Sequence, residues 1–463
     1  MKSLLVSEIR KVVNGELIQG DDYLPINYVA YYMQQVKYPK TLLFLRSSLK
    51  IDWDTIQSCL PCAVITDKDF TELHGLDGCT IIQVKKLQNA YWEFIAYYRS
   101  LFRIPVVAVT GTCGKTTTKD IIEHILNNKF KVHVTNASAN GRPGHLNNLT
   151  RIDESTDAAV FETAVGKPGD IIYCGKYFKP TIGVITNIGL DHLDGCKTID
   201  GYIQAKGEML SILGKGTLII NADDEKTRSI ALNNFEGRII TIGIYHPADF
   251  QASNIHYGNN GMDFNLCFEN TEYPFFIPGY GEHQVYNALA AIAAVHEMRM
   301  NIGIREAGKR LTTFNNMPRH LEMLPGPRGS IILDDTWKIS LNSLDSALKV
   351  LHEIGNNRIK IALLGSLYSL GNLHKEVYQK AGEMIARTEV DVLLAIGKMA
   401  GKMAKKIARN AKEMGWKGKV IKLKRYNDAY RLLNKNLDEH CIILIKGDMY
   451  DRSMVHLVNR FRN

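Results

Sequence analysis

The residues best able to do chemistry stand together at Val109-Thr-Gly-Thr-Cys-Gly-Lys-Thr-Thr-Thr118. An apolar run, 104–110, precedes them, and a helical pattern follows from about Thr116 to Asn127. A strand–loop–helix junction suits a phosphate group. Glycines let backbone N–H groups turn inward, and the helix N-terminus adds a partial positive charge. On this reading Thr110, Gly111, Thr112, Gly114, Lys115, Thr116 and Thr117 form a cradle for the phosphates of a nucleotide. Lys115 reaches the β- and γ-phosphates, and Thr116 offers its hydroxyl to Mg²⁺. The full version of this loop has a glycine where Val109 stands, so the loop here is a shortened form. Cys113 reads as a small residue at a variable position rather than a redox centre.

Such a loop needs a sheet behind it. Apolar runs recur at 158–161, 182–188, 217–221 and 239–244, with helical stretches between most of them, which predicts a doubly wound parallel sheet. Residues 250–278 alternate and are rich in aromatics, Asn and Gly, which suggests an antiparallel excursion. A long helix is expected from His283 to Arg299. Asn315-Asn-Met-Pro-Arg319 reads as a hinge. Beyond it a second alternating series predicts strands at 330–334, 359–365, 390–397, 420–423 and 442–446, hence a Rossmann-like unit. The first hundred residues pattern more weakly, with strands near 42–45, 63–66 and 80–84. The expected architecture is α/β in three domains. These are a small mixed α/β unit at 1–102, a phosphate-loop parallel-sheet domain at 103–315, and a Rossmann-like domain at 316–463.

Size and composition agree. A chain of 463 residues exceeds one ordinary core. There is no signal-peptide pattern and no apolar stretch long enough for membrane insertion, so a cytoplasmic location is expected. Eight irregularly spaced cysteines, with Cys59-Leu-Pro-Cys62 the sole CxxC, point to reduced, buried thiols rather than a metal site. The net charge of +9 favours an anionic small substrate, and the basic residues read as too scattered for nucleic acid.

Downstream of the loop, the segments Thr186-Asn-Ile-Gly-Leu-Asp-His-Leu193, Ala205-Lys-Gly-Glu208, Asn221-Ala-Asp-Asp224 and Gly281-Glu-His-Gln-Val-Tyr-Asn-Ala288 stand in order. With the loop they resemble the Mur ligases. The likeness is nearest to the MurF type through Thr116-Thr-Thr-Lys119, Asp334-Asp-Thr-Trp337 and Leu364-Gly-Ser-Leu-Tyr-Ser-Leu-Gly371. The resemblance implies an ADP-forming ligase that joins a carboxylate to an amine through an acyl phosphate. Lys115, Lys206 and His192 would be its catalytic residues. Thr116 and Glu162 would hold one Mg²⁺. A second would sit with His192 and Lys206, the lysine carrying CO₂ as a carbamate. Asn287 would contact the adenine of ATP, Arg319 the phosphates, and Asp335 would help close the C-terminal domain over the nucleotide. His283 reads equally as core, surface or site.

The resemblance breaks at both substrate ends. Where the family has an Asp-Ser-Arg segment near its uridine nucleotide, this chain has Tyr32-Met-Gln-Gln35, and the DGHxF segment is absent. Where MurF types continue Asp-Asp-Thr with Tyr-Asn-Ala-Asn-Pro, it reads Trp337-Lys-Ile-Ser-Leu341. Lys338 could meet a carboxylate on the incoming amine, and Arg142 an unusual anionic acceptor. The expected partners are an anionic small-molecule acceptor and an amino acid or dipeptide, with no nucleic acid, and a monomer is expected. Cell-wall precursor synthesis stands beside a pseudomurein, natural-product or cofactor pathway. The alternative is a non-catalytic or partner-dependent scaffold that only binds nucleotide.

Overall fold

The computed structural model describes residues 1–46, 52–68, 78–136, 139–189, 193–258, 260–367 and 374–462. Its three larger sheets fall in succession along the chain. The first has the order Glu16–Gln19, Cys79–Gln83, Cys62–Thr66, Thr41–Leu45, Tyr28–Ala30, parallel except for the first pair. The expected strands are its middle. Its two outer members are four and three residues long and partly exposed, too short to show a period.

The central sheet runs Thr271–Pro278, Gly261–Phe268, Phe250–Gly258, Arg238–Gly243, Thr217–Asn221, Ile182–Ile185, Val106–Thr110, Ala158–Glu162, Val132–Val134. Its pairs are parallel from Phe250 onward, whereas the two outermost pairs, at 250–278, are antiparallel. The excursion read from composition is therefore a meander that widens the same sheet. The strands flanking Val106–Thr110 come from opposite directions of chain travel, so the loop at its end occupies a topological switch point. Strand Val106–Thr110 is buried on both faces, which is why it reads as an unbroken apolar run.

The third sheet runs Glu322–Pro325, Ile331–Asp335, Cys441–Lys446, Ile359–Leu364, Val392–Ile396, Lys419–Leu423. Only its first pair is antiparallel. Glu322–Pro325 escaped the sequence reading because it is short and follows a strained passage, with Arg319 and Leu321 at φ 66° and 52°.

The first unit is fixed to the second by helix Leu87–Ser100. Its residues Tyr91, Phe94, Ile95 and Tyr98 share one buried cluster with Leu149, Phe161, Tyr177 and Phe178. Arg99 donates to the carbonyls of Phe178 and Phe102, both at 2.7 Å. All eight cysteines are free thiols, and most are buried.

In the third sheet Asp335 and Lys446 are register partners on neighbouring strands. Their side chains pair at 2.6 Å with 10 % and 1 % exposure, and Lys446 also donates to the Lys338 carbonyl at 2.6 Å. Removing one member of such a pair strands a charge in low dielectric. Lys446→Met is expected to cost about 3–5 kcal/mol, read as a fall in the urea midpoint. An unchanged midpoint would mean the pair is not buried in solution.

Candidate active site

The phosphate loop is held by side chains from three later segments. Thr112 N–H donates to the Asn187 carbonyl at 2.9 Å, and Cys113 N–H to Asn187 Oδ1 at 3.0 Å. The Cys113 carbonyl accepts from Thr186 Oγ1 at 2.6 Å and Asn187 Nδ2 at 3.0 Å. Gly189 N–H returns a bond to Thr112 Oγ1 at 2.8 Å. Behind this clamp, Asp224 accepts from Ile188 N–H, and Asn221 Nδ2 donates to the Thr186 carbonyl. Two of the resembling segments thus form one layered support.

Two loop positions exclude a side chain. A Cβ on Gly111 would lie 1.9 Å from Thr186 Oγ1, and one on Gly114 would lie 2.3 Å from Asn287 Oδ1. Gly114 also sits at φ 82°. Asn287 therefore buttresses the loop. It is buried and accepts from Thr118 Oγ1 at 3.4 Å. Lys115 Nζ donates to the carbonyls of Gly111 and Thr112 at 3.0 and 3.3 Å.

Thr116 Oγ1 donates to Glu162 Oε2 at 2.8 Å, and Asn140 Nδ2 to Glu162 Oε1 at 2.6 Å. Hydroxyl, carboxylate and amide so converge at the start of the loop helix, beside the end of strand Ala158–Glu162. These donors fit a hard, oxygen-seeking cation held jointly with nucleotide phosphates. Among the described residues no group of three or more His, Cys, Asp or Glu gathers as a metal site made of protein alone. His192 lies outside the described residues, as do Asp191 and residues 368–371 of the third MurF-like segment. Lys206 is 1 % exposed on helix Ile199–Gly207, with Nζ 3.4 Å from Thr110 Oγ1 and 4.6 Å from the Tyr202 ring centre.

The loop opens on a cleft of about 1360 Å³ between the second and third sheets. Gly111, Thr112, Gly114, Lys115, Thr116, Thr117, Glu162, Asn287 and Asp335 are on its wall. Thr110, Lys206 and Arg319 are not. Arg319 lies over the Trp337 ring at 5.2 Å. Two wall residues at the start of helix Glu282–Glu297 carry buried polar atoms with no protein partner among the described residues, His283 Nδ1 and Gln284 Oε1. Buried polar atoms without a partner, on residues of a cleft wall, fit a polar ligand. Asp223 organises the adjoining wall. It accepts from the Ile244, Tyr245 and His246 N–H groups and from Tyr286 Oη. Burial raises its pKa, but these bonds outweigh burial and hold it at about 2.

The sequence reading missed Lys446, the partner of Asp335. Its position at the carboxyl end of a central strand was the available signal. It also missed a smaller pocket of about 330 Å³ at the seam of the first two units. Tyr32 and Gln35, from the segment standing where the family's nucleotide signature is absent, line it with Arg46, Trp92, Arg142 and Lys176. Arg46 lies over Tyr31 at 4.5 Å and Lys176 over Trp92 at 5.0 Å. Arg142 lies over Tyr173 at 4.4 Å and pairs with Asp170 at 2.9 Å.

A glycine loop at a switch point, a hydroxyl–carboxylate pair beside it and a second Rossmann-like unit across the cleft define a three-unit α/β architecture around one cleft. Residues 109–295 match the Mur ligase middle domain. The chain is 28% identical over 369 residues to the UDP-N-acetylmuramoyl-tripeptide–D-alanyl-D-alanine ligase of Bacillus subtilis, covering 80% of this chain and 77% of that one. Its fold matches MurF of Acinetobacter baumannii with a TM-score of 0.82 at 21% identity, over 100% and 99% of the two chains. It also matches MurF of Thermotoga maritima in complex with ADP, with a TM-score of 0.77 at 18% identity, over 94% and 97%.

Gly111→Ala should push Thr186 off the loop and weaken ADP binding by at least about tenfold, roughly 1.4 kcal/mol, in calorimetry. Wild-type affinity in that variant would contradict the clamp. His145 is 3 % exposed, with its Nε2 3.2 Å from the Asn140 carbonyl, and burial lowers its pKa from 6.5 to about 4. The unfolded chain binds this proton first, so the contribution of neutral His145 is complete above about pH 6.5 and is lost as pH falls toward 4. Up to about 3 kcal/mol is at stake. His145→Phe should flatten the decline of Tm with pH in that window, and an unaltered slope would assign it to other groups.

Proposed function

We propose that this chain is a MurF-type, ATP-dependent, ADP-forming ligase of cell-wall precursor synthesis, joining the carboxylate of an anionic acceptor to the amine of an amino acid or dipeptide. The observation that carries the reading is one cleft. It has the clamped phosphate loop and the Thr116–Glu162 pair on one wall, and Asp335 and Lys446 of the third sheet on the other.

A carboxylate oxygen attacks the γ-phosphorus of ATP, the bond to the β-phosphate oxygen breaks, and ADP leaves with an acyl phosphate formed. The amine then attacks the acyl carbon. The tetrahedral intermediate loses inorganic phosphate and a proton, leaving the amide. The first step crowds negative charge, and Lys115 at the loop is the protein cation placed to offset it. Thr116 and Glu162 would hold Mg²⁺, which when bound screens the phosphate charges. His283 and Gln284 offer their unpartnered atoms to the nucleoside end, while Asn287 acts by holding Gly114 and Thr118 in place. Closure of the third unit would keep water from the acyl phosphate.

Lys206, buried behind the loop, would carry CO₂ as a carbamate and with His192 would serve a second Mg²⁺. Arg319 would reach the phosphates only after leaving Trp337. The acceptor's distal end fits the seam pocket. That pocket's cations and aromatic rings suit an anionic group joined to a flat one, and the UDP-muramoyl tripeptide named for the B. subtilis relative is such a molecule.

The test is ADP release with Mg²⁺, bicarbonate, UDP-muramoyl tripeptide and D-alanyl-D-alanine, beside a panel of other acids and amines. Glu162→Gln should lose at least about a hundredfold in turnover, as when one charge-stabilising group is removed, while still binding ADP. Lys206→Ala should be inactive yet bind ATP, and a carbamate carbon should appear in spectra with ¹³C-bicarbonate. Bound ATP with no acceptor-stimulated ADP from any pair would favour the non-catalytic scaffold.

A further inference from the structure

The positive charge of this chain is concentrated in one place. From the start of helix Lys398–Glu413 to the end of helix Tyr426–Asn436 stand 13 Lys or Arg and 2 Asp or Glu. That is a net +11, against +9 for the whole chain, so the remaining 44 basic and 46 acidic residues nearly cancel. These cations already stand in one stretch of the sequence. The fold collects them.

The strand between the two helices, Lys419–Leu423, is the outermost of the third sheet. The apolar side of the first helix packs on one face of that sheet, with Met403 and Ile407 in the cluster of Leu348. The second helix packs on the other face, with Ala429 and Leu433 beside Leu457. Their polar sides and the strand therefore wrap the sheet's free edge. Lys402, Lys405, Lys412, Lys419, Lys422 and Arg431 are all exposed. The stem of Lys422 runs 3.5 Å from where a Cβ on Gly401 would stand, which joins strand and helix into one surface. The two acids of the span each pair locally, Glu413 with Arg409 at 3.3 Å and Asp428 with Arg425 at 3.6 Å. None of these side chains lines the cleft or the seam pocket.

Protection of an edge strand explains lysines at 419 and 422, since charge there discourages pairing with another sheet. It does not explain the row on helix Lys398–Glu413, whose own backbone offers no strand edge. A solvated helix face ordinarily mixes both signs.

We propose that this edge is a docking surface for an anionic lipid bilayer, held peripherally by charge. A bilayer surface attracts a basic face within about a Debye length, roughly 8–10 Å. Two exposed methionines bracket the helix, Met399 at 71% and Met414 at 58% exposure, and such side chains suit the boundary between headgroups and acyl chains. The surface offers little to a nucleic acid strand. Trp416 is buried, Tyr426 and Tyr430 are partly covered, and so the edge lacks an open ring for base stacking. No helix among the described residues is long and apolar enough to cross a membrane, so the contact would be superficial.

The experiment is co-sedimentation of the full chain with vesicles of phosphatidylcholine alone or containing phosphatidylglycerol, at low and raised salt. Binding is expected only with phosphatidylglycerol, and salt should reverse it. The quadruple variant Lys405→Glu, Lys412→Glu, Lys422→Glu, Arg431→Glu should bind at least about tenfold more weakly, because counterion-driven attraction scales with the number of cations engaged. The exposed control Lys37→Glu should bind as wild type. Wild-type indifference to phosphatidylglycerol overturns the proposal whether or not the variant folds. Equal binding by a quadruple variant with a wild-type melting curve does the same. Tighter binding of duplex or single-stranded DNA than of anionic vesicles at equal salt, lost in the variant, would reassign the edge to nucleic acid.

Discussion

The loop at 111–114 must keep a conformation that no short peptide holds alone, and the segment Thr186–Gly189 imposes it. Four hydrogen bonds tie Thr112 and Cys113 to Thr186 and Asn187, and the fit at Gly111 leaves no room for a methyl group. Everything chemical follows from that fit. Thr116 meets Glu162 only because the loop delivers the helix start to the end of the neighbouring strand. The same clamp rests on Asn221 and Asp224, one strand further out, so the order in the sheet is also the order of support. A phosphate site built this way is preorganised, and binding need not supply the energy to shape it.

This dependence explains what was legible in the sequence. The loop and the buried strands at 106–110, 158–162, 182–185 and 217–221 could be read because a parallel strand covered on both faces must be apolar throughout. The segments at 186–189 and 221–224 could be located by resemblance, but their task could not. That Asn187 serves the loop backbone, and that Asn287 supports Gly114, are facts of three-dimensional approach. The short edge strands Tyr28–Ala30 and Glu322–Pro325 were invisible, since three or four residues carry no period. Lys446 was hidden for another reason. Its partner Asp335 lies 111 residues away, and only sheet order makes them neighbours.

The adjacent aspartates at 334 and 335 show how far local chemistry can mislead. Side chains alternate across a strand, so the two acids point to opposite faces. Asp335 turns to the cleft and meets Lys446, while Asp334 turns away and is bound by Thr336 and Arg462. Burial raises the pKa of Asp334, and the hydroxyl and guanidinium only partly oppose it. One of a matched pair of letters therefore belongs to the site, and the other fastens the C-terminal helix to the sheet.

The two substrate ends, where the resemblance fails, differ in how they are built. At the amine end Trp337 is stacked by Arg319 and lies 5.2 Å from the His320 ring, so the hinge passage and the substitution at 337 form one packed unit. At the acceptor end Tyr32 and Gln35 join Arg46 and Trp92 in a pocket that also needs Arg142 and Lys176 of the central domain. Loss of a familiar motif there is accompanied by a different cationic, aromatic wall rather than by a smooth surface. A wall shared by two domains has a consequence for recognition. On the proposed function, an acceptor filling it would bridge two domains that the buried cluster around Tyr91 and Tyr177 already joins. On the same proposed function, specificity at this end would be set by the packed seam, and closure over the cleft would fall to the third domain.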